Sequence, residues 1–422
     1  LDVPVDSRPS LIIGNPPYVK WSRLDKRTKA TLQNDFWKSY TNGEWDLLYA
    51  FILWSAEMLD ENGELIFIVP YNWFNSTNAQ SLRDYLVQAG YFTDIVCFHE
   101  YKVFDDAAPN AIIFRYVKSQ SKSSKKNKIR VVELKQRNYP DSVVVDTKKM
   151  LDRLTPKAKD FEDSEYKSFL AEQPQRGNRW HLANRAEARN LKSLESRTTQ
   201  TIGEITSVAV GFVSGYEEGF KIDDEVYQKF SSKERLFVKE FVKAKDCSTY
   251  CLQSTSRFLF LDDCSQEELE AMPNIYKLLK PLSERLRARY GVSEDEWWSW
   301  ATVRNHQLFV DYKNRKKIIV PGIDRSLQAR YCATKKIVLG GGDVLAIFPS
   351  KGVSADYLLA WLNSESVSDW YRIKGSNSGH RKLYTQSVVS DIPYLDPSVL
   401  SKKDLQTVVD NSLGLQKKNV KN

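Results

Sequence analysis

The tetrapeptide Asn15-Pro16-Pro17-Tyr18 constrains the fold of this chain more than any other stretch. It follows directly on residues 11–14, the apolar run Leu-Ile-Ile-Gly, which is typical of a short buried strand. Two consecutive prolines cannot continue a strand, because each ring fixes φ and removes a backbone N–H. The sequence therefore predicts a buried strand that ends at a stiff loop, and this loop presents a carboxamide and an aromatic ring.

The residue types in this loop suit the binding of an exocyclic amino group. The lone pair of such a nitrogen is delocalised into the ring, and acceptors placed on its two N–H bonds localise it. Asn15 offers a side-chain oxygen and Pro16 offers a carbonyl at a fixed φ, while Tyr18 offers a flat face to a flipped base. The alternative is a plain proline-rich turn after a strand, since Asn-Pro and Pro-Pro both mark turns.

With this motif the chain resembles the gamma class of adenine-N6 DNA methyltransferases. More narrowly, it resembles the large Type IIG-like restriction–modification enzymes that fuse such a catalytic domain to a C-terminal target-recognition domain. The resemblance implies site-specific methylation of adenine in double-stranded DNA, with S-adenosylmethionine as the methyl donor. It implies that Asn15 and Pro17 also contact the cofactor, and it gives as the catalytic residues Asn15, Pro16, Pro17 and Tyr18.

Enzymes of this class carry a glycine-rich cofactor loop upstream of the motif. Here ten residues precede Leu11, none of them is glycine, and the chain starts with Leu1 rather than Met. We therefore expect the main cofactor loop to lie outside this chain, in a missing N-terminal segment or in a second chain. On that expectation the isolated chain is inactive.

Two further segments carry the resemblance. Residues 43–49 resemble the helix start that flanks the cofactor in this class, which makes Asp46 a candidate cofactor ligand; Asp46 also suits a helix N-terminus on charge alone. Phe104 is the candidate for stacking on the adenine face opposite Tyr18, and a loop-buried Phe without a ligand is the alternative. Such stacking contributes about 1–3 kcal/mol per base, which helps offset the cost of unstacking.

Hydrophobic patterning predicts an α/β fold, with residues 1–170 forming part of a doubly wound, Rossmann-like methyltransferase sheet. The predicted strands are 11–13, 64–69, 92–98, 111–117 and 129–134, with a weaker one at 142–146. The predicted helices are 25–36, 44–59 and 78–88. Ligands of such sheets bind at the carboxyl ends of the strands, which is where Asn15 falls.

Residues 171–422 are predicted to form a second, mixed α+β domain, which the resemblance makes the target-recognition domain. The predicted elements are a strand at 202–210, a basic amphipathic helix at 274–290, a hairpin over 335–348, a helix from 357 and a closing strand at 390–393. The tail after residue 400 is expected to be helical or disordered. Trp297, Trp298 and Trp300 are interpreted mainly as core residues.

The charge balance is basic, with 62 Lys and Arg against 54 Asp and Glu, a net charge of +8. This excess suits a polyanionic partner such as double-stranded DNA, although it also fits a solvated surface with no partner. The polar segment 374–382 gives three candidate phosphate contacts, Lys374, Arg381 and Lys382. A plain surface loop is the alternative for this segment.

Cysteine usage and hydropathy indicate the compartment. The five cysteines form no CxxC pair and have no partnering His cluster, which favours reduced thiols and no metal site. The sequence contains no apolar run of membrane-spanning length and does not open with a signal peptide. We expect a protein of the prokaryotic cytoplasm.

Two other functions stay open. Protein glutamine methyltransferases share the Asn-Pro-Pro-Tyr motif, because a glutamine amide is a similarly poor nucleophile. The long basic and aromatic C-terminal sequence counts against that function, since recognition of a peptide does not need it. The other alternative is a non-enzymatic DNA specificity subunit with a decayed catalytic half, and the intact motif at residues 15–18 counts against decay.

Overall fold

The chain divides into two compact units. The structure, a computed structural model, describes residues 8–38, 40, 45–99, 101, 103, 110–121, 127–135, 147–154, 159–243, 246–248, 251–252, 255–262, 264–303, 305–311, 317–324, 329–332, 337–339, 344–378 and 381–419. The first unit comprises Leu1–Lys192 with Ser376–His380, and the second comprises Ser193–Gly375 with Arg381–Asn422. The roles that the sequence assigns to the two halves stay predictions.

The first unit alternates strands and helices. Its elements are β1 (Leu11–Gly14), α1 (Lys26–Leu32), α2 (Asp35–Lys38), α3 (Leu47–Met58), β2 (Glu64–Pro70), α4 (Gln80–Ala89), β3 (Gly90–Cys97), β4 (Ala111–Lys118), β5 (Ile129–Leu134), α5 (Thr147–Arg153), β6 (Phe161–Glu162), β7 (Tyr166–Ala171) and α6 (Arg185–Arg197), whose last turn belongs to the second unit. Short 3-10 helices lie at Trp21–Arg23, Tyr71–Phe74 and Thr77–Ala79.

The strands of the first unit form a seven-stranded sheet in the order β1-β2-β4-β3-β5-β7-β6. β1 is parallel to β2 and β3 is parallel to β5, whereas β4 is antiparallel to both β2 and β3. The strands β1, β2, β3 and β5 therefore end at the same side of the sheet, which we call the carboxyl edge. The predicted α/β class is confirmed, with a sheet that is mixed rather than wholly parallel.

The single helix predicted at 25–36 is wrong, because two capping residues divide it. Asp25 accepts a hydrogen bond from the Thr28 N–H (2.9 Å) and starts α1. Asn34 accepts one from the Trp37 N–H (3.2 Å) and starts α2. Each side-chain oxygen satisfies a backbone donor that a helix start leaves without an internal partner.

β1 is an outer strand of this sheet, and among the described strands only β2 pairs with it. Leu11 is 50% exposed and Ile13 is 67% exposed. The strand predicted at 11–13 is confirmed, but the prediction that it is buried is wrong. Its apolar composition resembles that of a strand covered on both sides, whereas here one side of the strand lies open.

The core of the first unit extends past residue 170. Trp180 is buried in this core and makes edge-to-face contacts with Trp73, Phe74 and Phe92, and its backbone N–H donates to the Phe74 carbonyl (2.9 Å). The compact unit accordingly runs to Lys192 rather than to the boundary expected near 170. The weak strand predicted at 142–146 lies outside the described residues.

The second unit is a mixed α+β arrangement. Its elements are β8 (Gln200–Thr201), α7 (Ile202–Ile205), β9 (Thr206–Val210), α8 (Glu217–Phe220), β10 (Lys221–Ile222), α9 (Asp224–Lys229), α10 (Ser232–Arg235), β11 (Val238–Val242), β12 (Cys247–Ser248), β13 (Cys251–Leu252), β14 (Ser256–Leu259), α11 (Gln266–Glu270), α12 (Pro273–Leu279), α13 (Ser283–Arg287), α14 (His306–Asp311), β15 (Lys317–Pro321), β16 (Ile323–Asp324), β17 (Arg330–Cys332), β18 (Ile337–Leu339), β19 (Val344–Pro349), α15 (Ala355–Leu362), α16 (Glu365–Lys374), β20 (Ser376–Ser378, grouped with the first unit), β21 (Arg381–Leu383), α17 (Gln386–Ser390), β22 (Pro393–Tyr394) and α18 (Lys402–Asn419).

The hairpin predicted over 335–348 is wrong. β18 pairs in parallel with β11, in a sheet of order β10-β14-β11-β18, whereas β19 lies between β15 and β9 in a different sheet. A glycine run between two apolar stretches is typical of a hairpin, but here each stretch pairs with a strand far away in sequence. The glycines at 340–342 lie outside the described residues.

Two other elements of the second unit differ from their predictions for local reasons. The strand predicted at 202–210 starts only at Thr206, because Thr201 and Glu204 form a capping box that makes Ile202–Ile205 helical. The helix predicted at 274–290 is broken into α12, a 3-10 turn at Lys280–Leu282 and α13. Pro281 lies in this turn and has no N–H with which to continue the helix.

The tryptophan segment of the second unit is part of its core, as predicted. Trp297, Trp298 and Trp300 are all buried. Arg289, which is 9% exposed, fastens this segment by donating to the backbone carbonyls of Leu286 (2.8 Å), Trp297 (2.7 Å), Ser299 (2.9 Å) and Ser214. Burial lowers the pKa of Arg289 to about 10, so its guanidinium remains charged at neutral pH.

The last described element is α18, so the described part of the tail is helical from Lys402 to Asn419, which is one of its two predicted states. Of the closing strand predicted at 390–393, only Pro393 lies in a strand, because Ser390 ends α17 and the short β22, which pairs with β8, is Pro393–Tyr394. Within the described part of the chain, no helix is both long enough and apolar enough to cross a bilayer.

Glu234 joins two helix starts in the second unit. Its carboxylate accepts a hydrogen bond from the Ser231 N–H (2.8 Å) at the start of α10, and two from Asn274, through its backbone N–H and its Nδ2 (both 2.9 Å), at the start of α12. Burial raises the pKa of Glu234, but the hydrogen bonds from Asn274 and Ser231 outweigh burial and lower it to about 2.

We predict that Glu234→Gln destabilises the second unit in a pH-dependent way. The lowered pKa means that Glu234 stabilises the fold fully above about pH 4.5, its unfolded value, and less as the pH falls towards 2. The variant should lose roughly 2 kcal/mol of unfolding free energy at pH 7, because an amide cannot accept all of these bonds. Urea titrations at pH 7 and pH 3 measure this, and the difference from wild type should shrink at pH 3.

Glu267→Gln, on the exposed first turn of α11, is the matched control, because it removes one carboxylate without these bonds. Equal losses for the two variants, or a loss for Glu234→Gln that is the same at both pH values, contradict the prediction.

Candidate active site

The motif loop starts at the carboxyl edge, where β1 ends beside β2. The last registered pair of these parallel strands is Gly14 with Phe67, so Asn15 begins the loop next to Ile68 of β2. A Cβ atom at position 14 would lie 3.2 Å from the Phe67 ring, so glycine allows the two strands to stay close here. The pairing of β1 with β2 therefore fixes where the Asn15 side chain emerges.

The structure brings the four motif residues together in an accessible loop. Pro16 is buried, whereas Asn15 and Pro17 are exposed and Tyr18 is 36% exposed. The Tyr18 hydroxyl contacts the Asn15 side-chain oxygen and lies 2.7 Å from the Ile68 carbonyl oxygen. Burial raises the pKa of Tyr18, so the phenol stays protonated well above neutral pH. Asn15 and part of Tyr18 are thus accessible to a ligand beside the backbone of β2.

The segment after the motif is held by the start of α3. The Leu47 N–H donates to the Val19 carbonyl (3.0 Å), and the Trp21 N–H donates to Asp46 Oδ1 (2.8 Å). Asp46 is the N-cap residue of α3 by position, yet its side chain serves the neighbouring loop rather than the helix. This carboxylate therefore has a structural role, and its predicted contact with the cofactor stays a prediction.

Phe104, the predicted second stacking residue, lies outside the described residues, but both ends of its segment are described. The Phe98 N–H donates to the Ala111 carbonyl (3.0 Å), and the Tyr71 N–H donates to the Asn110 carbonyl (2.8 Å). The described end of β3 and the described start of β4, between which Phe104 falls in the sequence, both lie at the carboxyl edge where Asn15 is found.

The three candidate DNA contacts in the second unit already have protein partners where they are described. Lys374 forms an ion pair with Glu195, which also accepts a hydrogen bond from Trp370 Nε1 (3.4 Å). Lys382 Nζ donates to the Arg372 carbonyl (2.8 Å). Arg381 starts β21, and its side chain lies outside the described residues. Contact of these residues with DNA stays a prediction.

Sequence reasoning missed two supports of the site. One is the Ile68 carbonyl, a backbone group that no residue type announces. The other is Arg83, which is fully buried and donates through Nη1 to the carbonyls of Trp73 and Ser76 (both 2.7 Å), so it shapes the turn that follows β2. Burial lowers the pKa of Arg83 to about 10. The available signal in the sequence for a buried Arg83 was its position directly beside Leu82, on a helix whose apolar residues Leu82 and Leu86 face the core.

The comparisons with known proteins agree with this architecture. The family described as the Eco57I restriction-modification methylase matches residues 10–104. The Type II methyltransferase M.HindII of Haemophilus influenzae is 28% identical over 427 residues, which cover 95% of this chain and 77% of that protein. The Type II methyltransferase M.MjaIV of Methanocaldococcus jannaschii is 30% identical over 204 residues, which cover 47% of this chain and 68% of that protein.

A solved structure shows the same fold across both units. The Type IIL restriction-modification enzyme MmeI, in complex with DNA, aligns with a TM-score of 0.66 at 15% identity, and the alignment covers 98% of this chain. The chain spans half of the length of that enzyme. The mixed seven-stranded sheet, with the motif at its carboxyl edge, is the fold of a methyltransferase. The chain belongs to the Type II methyltransferases of restriction–modification systems.

We predict that Asp46→Ala and Asp46→Asn separate the two roles of this carboxylate. The Ala variant loses the acceptor for the Trp21 N–H and should be less stable by about 1 kcal/mol, a fall of about 3 °C in the melting temperature. The Asn variant retains an acceptor oxygen and should melt close to wild type. Differential scanning calorimetry measures both.

Calorimetric titration with S-adenosylmethionine, on protein expressed from its whole gene, then tests the cofactor role. If Asp46 makes a charge contact with the cofactor, its loss in the stable Asn variant weakens binding about tenfold, which corresponds to about 1.4 kcal/mol. Wild-type affinity in Asp46→Asn would leave Asp46 with the structural role alone.

Proposed function

We propose that this protein methylates the N6 amino group of adenine in double-stranded DNA, as the modification activity of a restriction–modification system. The observation that carries the proposal is the exposed Asn15 carboxamide, in a loop with Pro16 and Tyr18, at the carboxyl edge of the sheet. Similarity to Type II methyltransferases and to a restriction–modification enzyme in complex with DNA supports it.

Two acceptors act on the amino nitrogen. The Asn15 side-chain oxygen and the Pro16 carbonyl each accept one N–H of the adenine amino group, which draws the nitrogen lone pair out of conjugation and directs it at the methyl group. Pro16 suits this task because its φ is fixed and it brings no N–H of its own. The proton becomes acidic as the new C–N bond forms and then passes to water, so the loop needs no strong base, and positioning carries most of the rate enhancement.

The target base has to leave the DNA helix to reach this loop. Tyr18, with about a third of its surface open, offers a ring face to the extruded adenine, and Phe104 is proposed for the opposite face. Each stacking contact contributes about 1–3 kcal/mol, which offsets part of the cost of extrusion.

S-adenosylmethionine supplies an electrophilic methyl group on a sulfonium when it is bound. The residues proposed to hold it from this chain are Asn15, Pro17 and Asp46. Their types fit such a ligand, since amide and carboxylate oxygens can bind its ammonium and ribose hydroxyl groups, and Asn15 and Pro17 are exposed. Asp46 Oδ1 accepts the hydrogen bond from the Trp21 N–H, and the proposed contact with the cofactor would be made by Asp46 Oδ2.

The second unit is proposed to choose the DNA sequence through base-edge contacts in the major groove. Its candidate phosphate contacts are Lys374, Arg381 and Lys382. The ion pair of Lys374 with Glu195 would have to open or be shared for this lysine to reach a phosphate. A net charge of +8 favours the approach of a polyanion.

We predict that Asn15→Ala abolishes methyl transfer and spares DNA binding. Loss of one of the two acceptors on the amino group should lower kcat on the order of 100-fold or more, as loss of one preorganised hydrogen bond does in other active sites. The measurement is transfer of labelled methyl groups to DNA from cells that lack adenine methylation, with the product nucleoside identified by mass spectrometry. Fluorescence anisotropy measures the affinity for DNA.

The control is Asn190→Ala, which removes an exposed carboxamide from α6 and should keep wild-type kcat. Near-normal turnover of Asn15→Ala refutes the role of Asn15. Methyl groups found on a protein glutamine, and none on DNA, favour the glutamine methyltransferase instead.

A further inference from the structure

The Tyr18 hydroxyl lies between two oxygen atoms. One is the Asn15 side-chain oxygen and the other is the Ile68 carbonyl oxygen, 2.7 Å away. Both are acceptors, but a phenol has a single proton and can donate only one hydrogen bond at a time. With the carboxamide in this orientation, one of the two contacts would bring together two oxygens with no proton between them, which is repulsive.

A half-turn of the Asn15 carboxamide about its Cβ–Cγ bond resolves the conflict. The two ends of a carboxamide have nearly the same shape, and the hydrogen-bond network decides which end faces which partner. After the half-turn, Asn15 Nδ2 donates to Tyr18 Oη, and Tyr18 Oη donates to the Ile68 carbonyl. Each donor in this series of hydrogen bonds then has one acceptor, and Asn15 Oδ1 points away from Tyr18.

We propose that the Tyr18 hydroxyl and the Ile68 carbonyl orient the Asn15 carboxamide, so that its oxygen, and not its nitrogen, meets the amino group of the target base. The inference rests on the function proposed above and adds a positioning residue to it. A reversed carboxamide would present Nδ2, a donor, to the N–H bonds of the amino group. The hydroxyl is thus a selector of orientation, separate from the stacking role of the Tyr18 ring.

The Ile68 carbonyl, the last acceptor in this series of hydrogen bonds, is held rigidly. Ile68 is the residue of β2 that follows the last pair with β1, and it pairs with Ile113 of β4 on the other side. Its carbonyl belongs to the backbone of β2, which β4 pairs along its whole length, so it cannot reorient without disturbing that pairing. The raised pKa of Tyr18, caused by burial, keeps the hydroxyl protonated over the whole working pH range.

Tyr18→Phe tests the proposal, because it removes the hydroxyl and keeps the ring. We expect kcat to fall about tenfold, as the carboxamide then samples both orientations and loses its support, a change of about 1.4 kcal/mol. The affinity for DNA and the fluorescence rise of 2-aminopurine placed at the target position, which reports base extrusion, should stay at wild-type values. The assay uses protein expressed from its whole gene.

Tyr116→Phe is the matched control. Its buried hydroxyl donates to the Leu86 carbonyl (2.9 Å) in the same unit, so the variant loses the same kind of bond away from the motif. It should lower the melting temperature and leave kcat unchanged. This comparison separates a general loss of stability from the loss of an oriented carboxamide.

The background variant Asn15→Asp gives a sharper test, because a carboxylate has two oxygens and no wrong orientation. Tyr18→Phe should lower kcat about tenfold in the wild-type background and by less than about twofold in the Asn15→Asp background. Wild-type kcat in Tyr18→Phe, or equal losses in both backgrounds, overturns the inference and leaves adenine methylation intact. A wild-type enzyme that methylates no adenine overturns the proposed function itself.

Discussion

The parallel pairing of β1 with β2 is the constraint on which the site depends. It ends at Gly14 and Phe67, and the next residue on each strand, Asn15 on one and Ile68 on the other, supplies a functional group at the carboxyl edge. Because both strands belong to one sheet, the side chain proposed to act and the backbone carbonyl beside it are held by the same pairing. A shift of one residue in this register would separate them.

Hydrogen bonds between side chains and backbone hold the end of the motif and the residues that follow it. Tyr18 reaches the Ile68 carbonyl, and three residues later Trp21 is tied to Asp46 at the start of α3. Arg83 does similar work on the turn after β2, where a buried cation satisfies several carbonyls at once. The proposed chemistry requires little of the loop, since it offers acceptors rather than a strong base. Accurate placement is then the main contribution that the protein makes.

Much of the first unit could be predicted from sequence, because β2, β4 and β5 are strongly apolar segments whose pattern reports burial. The second unit was harder, since β18 finds its partner β11 far away along the chain, and a glycine run beside it suggested a local turn. At the site, residue types announced Asn15 and Tyr18. They could not indicate a role for the Ile68 carbonyl, because every residue has a backbone carbonyl. Nor could they indicate the hydrogen bond from the Trp21 N–H to Asp46, because it depends on where two segments meet in the fold.

The open side of β1 has a consequence for how this sheet meets other polypeptides. Leu11 and Ile13 share one exposed face of β1, and among the described strands the edge of β1 away from β2 has no partner, so its free backbone groups can accept a further strand. An extended peptide that pairs with this edge would form main-chain hydrogen bonds and also reduce the exposure of the apolar side chains beside it. The strand that leads into the motif loop is therefore also the described edge at which this sheet can take on a further strand.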